Sequence, residues 1–222
     1  MARPRSAGYD GQLEQILAAS AHLFATRGYT ATTMNDVAAA CGVSKATLYH
    51  YVRDKHELLA HITAGHVARL EALVRDVAAR PLAPAERLRE LVLRFMQAYA
   101  SAQDQHRVLT EDVKFLGDAE RGRVLDAQRR VVAAVADALA DLRPDLGAAR
   151  LHKPLALLLF GMINWTFTWL RAGGALTHET LAPMVVDLFF GGLPAVVPPA
   201  PDPRRRAPLP DVERTAAPAP AP

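Results

Sequence analysis

The sequence predicts an all-α protein of about nine helices, and three observations carry that prediction. Apolar residues recur three and four positions apart along most of the chain to Leu193, with no convincing strand alternation. Proline and glycine interrupt the pattern at Pro81, Pro144, Gly147, Gly173-Gly174 and Gly191-Gly192, where helices must stop. Met34 to Arg53, MNDVAAACGVSKATLYHYVR, has the spacing of two short helices packed across a tight turn. The expected organisation is a flexible arm over 1–10, a three-helix head with a helix-turn-helix over 11–55, a larger helical domain over 56–193 and a Pro/Ala-rich tail over 194–222.

The first helix is expected from about Gly11 to Arg27, with Leu13, Ile16, Leu17, Ser20, Leu23 and Phe24 at helical spacing. Thr33 and Asp36 are placed to form a capping box for the second helix. Asp54 and Glu57 repeat that spacing at the start of the fourth, which should run to about Arg80 before Pro81. A fifth helix from about Ala85 to Ser101 presents Leu88, Leu91, Val92, Phe95 and Tyr99 on one face. The sixth is expected over His106 to Leu116, the seventh over about Ala119 to Leu142, the eighth over about Leu151 to Arg171, and the ninth from Thr177 to the glycine pair at 191–192. Beyond Leu193 lie ten of the sixteen prolines, a composition that cannot bury a core and predicts disorder.

Within the helix-turn-helix each position has a steric task. Ala38 is small where the helices cross, and Gly42 stands in the turn, where positive φ is easy only without a Cβ. Val37, Cys41, Val43, Leu48 and Tyr51 recur inward, and Ser44 takes the N-cap of the third helix. That leaves Lys45, Ala46, Thr47, Tyr49 and His50 outward, polar, basic or aromatic as a helix entering the major groove requires. A plain helical hairpin would explain Ala38 and Gly42 but not this exposed cluster. Lys45 suits guanine O6 and N7, a Thr47 methyl can meet a thymine methyl, and His50 stands beside them. For Tyr49 two readings stay open, a DNA contact or a ring packed against the first helix.

Composition permits DNA binding without arguing for it. Hydrophobic residues make up 50% and charged residues 22%, ordinary for a globular protein, and the formal net charge is +3. Residues 1–55 hold six basic against four acidic groups, whereas residues 56–193 hold sixteen of each, so the surplus falls on the head and the tail. The tail's Arg204-Arg205-Arg206, and Arg3 and Arg5 in the arm, could reach DNA non-specifically or be only solvated. The single cysteine, Cys41, excludes a disulfide framework and a cysteine-based metal cluster. No apolar signal-peptide core opens the chain, which makes a cytoplasmic setting the expectation. Leu155 to Leu170 is apolar but too short to span a bilayer and contains Asn164, so a buried helix is expected and no membrane association. No phosphate-cradling glycine loop or nucleophile elbow is present. His56, His61 and His66 are spaced to miss a common helix face for metal, and Glu111-Asp112 point to different sides; neither an enzyme nor a metal site is expected.

The run from Leu13 to Leu59 resembles the N-terminal domain of TetR-family repressors, with Phe24, Gly28 and Tyr29 closing the first helix, Thr32-Thr33 opening the second, Leu48-Tyr49 in the third and Lys55 opening the fourth. Cys41, where Ala is usual, and Ala46, where Gly or Pro is common, depart mildly from that pattern, Ala46 close enough to the base edges to alter operator preference. The resemblance implies phosphate contacts from Thr33, Tyr49 and Lys55, a palindromic double-stranded DNA operator, and a homodimer through the helices at about 151–171 and 177–191. On the eighth helix Leu158, Met162, Trp165 and Trp169 form one apolar side and Phe160, Ile163 and Phe167 the other, so it must be covered on both. Phe189 and Phe190 on the ninth are expected in the dimer surface.

Residues 161–182, GMINWTFTWLRAGGALTHETLA, resemble the matching segment of repressors that sense acyl-CoA thioesters. Residues 106–116, HRVLTEDVKFL, are similar to the phenylacetyl-CoA-responsive repressors of aromatic catabolism. No cofactor is implied, only a small-molecule effector. The expected pocket is lined by Phe95, Tyr99, Trp165 and Trp169. Asn164 either holds a thioester carbonyl or bonds a neighbouring helix or its dimer mate. Arg123, Arg130 and Arg171 are the candidates for a phosphate-binding rim, against the plain alternative that they are solvated. A different hydrophobic ligand, or a partner protein in place of any ligand, is the competing mode of control; an enclosed pocket would argue for the ligand. The fourth helix would carry the effector signal to the third.

Overall fold

The computed structural model describes residues 7–170 and 174–198, which form nine α-helices and four short 3-10 turns. Arg3, Arg5, Arg171, Gly173 and the Arg204–Arg206 cluster lie outside the described residues.

α1 (Ala7–Arg27) begins earlier than its apolar spacing predicted, inside the segment read as an arm. It buries Ile16, Ser20, Ala21 and Phe24, and the Ser20 hydroxyl donates to the Ile16 carbonyl at 2.7 Å, which satisfies the one polar group in that stripe. Gly28 follows at φ +89, a value that ends the helix without steric cost.

α2 (Met34–Ala40) starts at the capping box read from the sequence. Asp36 N donates to Thr33 Oγ1 at 3.2 Å, and Thr33 N donates back to Asp36 Oδ2 at 2.8 Å. Gly42 sits at φ +65 in the turn. Space is open around it, so the conformation and not crowding selects glycine there. Ser44 caps α3 (Lys45–Tyr51), its hydroxyl accepting from Thr47 N at 3.0 Å. Val37, Ala38 and Leu48 are buried between the two helices, with Cys41, Val43 and Tyr51 half-buried at the margin.

α4 (Lys55–Ala78) opens on Asp54, whose carboxylate accepts from Glu57 N at 2.7 Å. At 24 residues it is about 36 Å long, enough to leave the head and cross the C-terminal bundle. There it packs against α5 (Pro84–Ser101), α6 (Gln103–Glu111) and α7 (Asp118–Leu142). α8 (His152–Asn164) packs on α7, and α9 (His178–Gly192) packs on α5. The predicted face of α5, Leu88, Leu91, Val92, Phe95 and Tyr99, is buried throughout.

Two further helices differ in extent from the sequence reading. α6 starts at Gln103 and ends at Glu111, where a 3-10 turn over Val113–Phe115 replaces the predicted last turn. α8 gives way after Asn164 to a 3-10 turn over Trp165–Thr168 instead of running on to Arg171. Thr166 Oγ1 donates to the Ile163 carbonyl at 2.8 Å and Thr168 Oγ1 to the Trp165 carbonyl at 2.7 Å, so two threonines bond back along the chain where the α-helix loosens. Among the described residues no helix is long and apolar enough to cross a membrane.

Candidate nucleic-acid interface and effector cavity

α3 presents Lys45, Ala46, Thr47, Tyr49 and His50 to the outside, all exposed, as the spacing required. The Thr47 hydroxyl lies 2.8 Å from Ser44 Oγ, and Lys45 Nζ stands 5.9 Å from the centre of the Tyr49 ring. Tyr49 is 45% exposed, so of its two readings the structure has the ring outward and not packed on α1.

The residue that does pack from α1 is Tyr9. Its ring stacks on Tyr51 at 4.6 Å, and both rings meet His50 edge-on, at 6.2 and 5.6 Å. His50 is thus held in place and not merely solvated. Sequence reasoning missed Tyr9 because it lay in the presumed arm, although its spacing to Leu13 and Ile16 continues the helical stripe.

Thr33 and Lys55 are occupied by the protein itself. The Thr33 hydroxyl donates to Asp36 Oδ2 at 2.6 Å, and these hydrogen bonds hold the Asp36 carboxyl below the usual carboxylate range. A carboxylate therefore already sits at the α2 N-terminus. Lys55 Nζ donates to the carbonyls of Tyr29 and Thr32, both at 2.8 Å, and of Thr30 at 3.3 Å, and lies 4.5 Å from the Tyr29 ring centre. Its three N–H donors are spent on the loop before α2, a clamp where the resemblance implied a phosphate ligand. Lys55→Met leaves those carbonyls unpaired and should lower stability by about 2 kcal/mol, read as an earlier urea midpoint with an unchanged slope.

That loop also meets the larger domain. Tyr29 stacks on Phe115, from the 3-10 turn after α6, at 5.1 Å and 25°. Gly117 N donates to His56 Nε2 at 3.0 Å.

Between α4, α6, α7 and α8 lies a half-open cavity of about 340 Å³. Val67, Leu70, Leu109, Val131 and Phe160 supply apolar wall, and Tyr99, His106 and Asn164 supply polar atoms. Tyr99 and Asn164 are brought together as expected, the Tyr99 hydroxyl donating to Asn164 Oδ1 at 2.8 Å. Asn164 thus bonds a neighbouring helix within its own protomer while still lining the cavity. Phe95 is fully buried one layer back, edge-on to Phe160 at 5.2 Å, and supports the wall without lining it.

Trp165 and Trp169 do not line the cavity. They are 62% and 50% exposed, because helical spacing from Leu158 and Met162 carries them to the outer side of α8 and not the inner one. They join Leu158, Met184 and Leu188 on an outer apolar surface of α8 and α9. Phe189 is the reverse correction: it is buried in the protomer, and Phe190 lies half-buried against the Arg89 guanidinium at 5.1 Å. On α9 the helical turn brings Met184 and Leu188, not the phenylalanine pair, to the outside.

Arg123 and Arg130 line a separate groove of about 560 Å³ between α4 and α7, where Arg130 pairs with Glu71 at 2.5 Å. The basic groups at the cavity's exposed mouth are Arg129, paired with Asp126, and Lys153. Among the described residues no group of three or more His, Cys, Asp or Glu is placed to hold a metal ion.

Comparison with known proteins agrees with this geometry at both ends of the chain. Residues 16–62 match the profile described as "Bacterial regulatory proteins, tetR family", and residues 81–193 match "Tetracyclin repressor-like, C-terminal domain". The HTH-type transcriptional repressor KstR2 of Rhodococcus jostii (strain RHA1) is 26% identical over 191 residues, 85% of this chain and 94% of that one. A TetR-family transcriptional regulator from Bordetella parapertussis 12822 superposes with a TM-score of 0.77 at 35% identity, over 87% of this chain and 99% of that one. AibR, solved in complex with isovaleryl coenzyme A and operator DNA, gives a TM-score of 0.70 at 25% identity, over 80% of this chain and 97% of that one. With an outward recognition helix, a bundle of the same architecture and matches across head and bundle alike, the chain belongs to the TetR family of bacterial transcriptional regulators.

Proposed function

We propose that this protein is a repressor that binds a palindromic operator as a homodimer and is released by an amphipathic small molecule of the acyl-CoA class, phenylacetyl-CoA among the candidates. The observation that carries the reading is the shared use of α4 and α6. Val67 and Leu70 of α4 and Leu109 of α6 line the cavity, while the far ends of the same segments hold the head through Lys55 and Phe115. A ligand that prefers a different spacing of these helices shifts the population away from the DNA-binding arrangement, to the extent of its preference and no further.

The acyl-CoA class is supported by the apolar walls, by the cationic mouth at Arg129 and Lys153, and by the likeness to AibR, whose structure was solved with isovaleryl coenzyme A. On the DNA side, Lys45, Thr47 and His50 are the base-reading candidates, Tyr49 a phosphate contact, and Ser44 and Thr33 set the helix ends that face the backbone. The exposed apolar surface of α8 and α9 supplies the second head by pairing with its copy.

The test is fluorescence anisotropy on DNA from upstream of the protein's own gene, at fixed salt, repeated with phenylacetyl-CoA, isovaleryl-CoA, a long-chain acyl-CoA and free phenylacetate. Selective binding released by a thioester and not by the free acid is expected. Selective binding untouched by every thioester would overturn the effector class while leaving the regulator. In the same assay Lys45→Ala should weaken the cognate site by about 10-fold or more and flatten the preference between cognate and scrambled DNA; an equal loss on both sequences would make Lys45 a phosphate contact instead.

A further inference from the structure

The polar end of the cavity carries hydrogen-bonding capacity that the protomer leaves unused. His66 of α4 and His106 of α6 are 1% and 3% exposed and face each other, His66 Nε2 lying 3.3 Å from His106 Nδ1. Their outer nitrogens, His66 Nδ1 and His106 Nε2, are buried and without a hydrogen-bond partner. Both facts are unusual, since buried polar atoms are ordinarily paired. His106 is clasped where it stands: Tyr99 stacks on its imidazole at 3.8 Å, and the Tyr99 hydroxyl continues to Asn164 Oδ1. That bond uses the Asn164 carbonyl oxygen and leaves the amide N–H groups of the same side chain unspent.

Proton counting defines what the pair can offer. Burial keeps both imidazoles neutral, with His66 lowered to about 3 and His106 to about 4. Two neutral rings carry two N–H protons, and one of them sits in the contact between the rings. When His66 Nε2–H is the inner donor, His106 must carry its proton on Nε2, as a donor at the cavity wall.

We infer that this cluster is the recognition site for a carbonyl oxygen of the effector, the two lone pairs of which accept from His106 Nε2–H and from the Asn164 side-chain amide. The inference rests on the effector reading above and deepens it. It places the acyl carbonyl at the polar end, the hydrocarbon against Val67, Leu70 and Phe160, and the anionic part at the Arg129 and Lys153 mouth. A hydrocarbon without the oxygen would leave the donors as unpaired as they are now, so the site discriminates against it.

The experiment pairs each thioester with its thioether: phenylacetyl-CoA with S-phenethyl-CoA, and isovaleryl-CoA with S-(3-methylbutyl)-CoA, in which CH₂ replaces the carbonyl. Calorimetry on the full-length protein should find a thioester bound about 30-fold more tightly than its thioether. His106→Leu should cut that difference severalfold, weakening the thioester and leaving the thioether unchanged, the Asn164 amide accounting for what remains. The double variant His66→Leu with His106→Leu, which removes both unpaired nitrogens and the contact between the rings, should show an unliganded melting midpoint no lower than wild type. Equal binding of thioester and thioether by the wild type would overturn this inference alone. Binding of neither member of either pair would overturn both the inference and the acyl-CoA reading.

Discussion

Leu188→Arg should turn the protein into a monomer and reduce operator affinity by about 100-fold or more at fixed salt. Leu188 is 69% exposed on α9, and Met184 on the same helix and Leu158 and Trp165 from α8 and its following turn are 53%, 64% and 62% exposed. These four large apolar side chains stand exposed on two helices that touch each other, where an exposed apolar patch marks an interaction surface. An arginine there costs the protomer nothing, because the side chain already faces solvent, but in a paired face it buries an uncompensated charge. The loss on DNA follows from bivalency: once one head is bound, the second acts at high local concentration, and avidity of about 100- to 10,000-fold disappears with the dimer. Sedimentation velocity and anisotropy on one preparation check both halves, with an unchanged circular dichroism spectrum as control. A Leu188→Arg protein that remains dimeric with full affinity would place the dimer surface elsewhere.

The second large effect is acid lability, and its sign follows from the buried histidines. In the unfolded chain each histidine titrates near 6.5. In the folded protein burial lowers His66 to about 3 and His106 to about 4, His106 also adding its charge against His66, with Arg69 of α4 acting in the same direction. Below pH 6.5 the unfolded state therefore binds protons the native state refuses. Stability is full above that value and is lost as the pH falls, by about 1.4 kcal/mol per pH unit for each histidine, or about 2.7 for the pair, until pH 4 is approached. His178, also lowered by burial, adds to the loss. Asp36, Glu57 and Asp145 act in the same sense but only in the carboxylate range below, while Asp112, raised by burial, opposes them there. Urea titrations at pH 7, 6 and 5 should show the steepening, and His66→Leu with His106→Leu should flatten it. An unchanged slope in the double variant would remove the pair as its cause.

Local chemistry was legible in the sequence, and long-range placement was not. Gly42, Ser44, the Thr33–Asp36 box and the inward set around Leu48 each follow from a constraint within a few residues, and the structure has them as read. Lys55 could be placed at a helix start, but its acceptors are carbonyls more than twenty residues away, and no local pattern names them. The apolar run of α8 was read as needing cover on two sides, and the protomer covers one, burying Phe160 and Ile163 while Leu158, Met162 and Trp165 stay exposed. Which of the two sides faced the core no local pattern named, and Trp165 was assigned to the cavity although it shares the outer side with Leu158. The same blindness could not foresee that Arg123 and Arg130 line a groove apart from Tyr99 and Asn164, and it passed over His66, which looked unremarkable until α6 brought His106 against it.

The clamp of Lys55 on the loop before α2 has an evolutionary consequence. The ammonium ties α4 to that loop and Tyr9 ties α1 to the end of α3, so in the proposed mechanism the head would travel as one piece. What the protein reads and what it listens to are then written in separate residues. Under the proposed function, an operator preference would drift through Lys45, Ala46 and Thr47 with responsiveness intact, and a new metabolite would be adopted at the cavity without relearning the promoter. A lineage holding such a chain can rewire either end of a genetic circuit one substitution at a time.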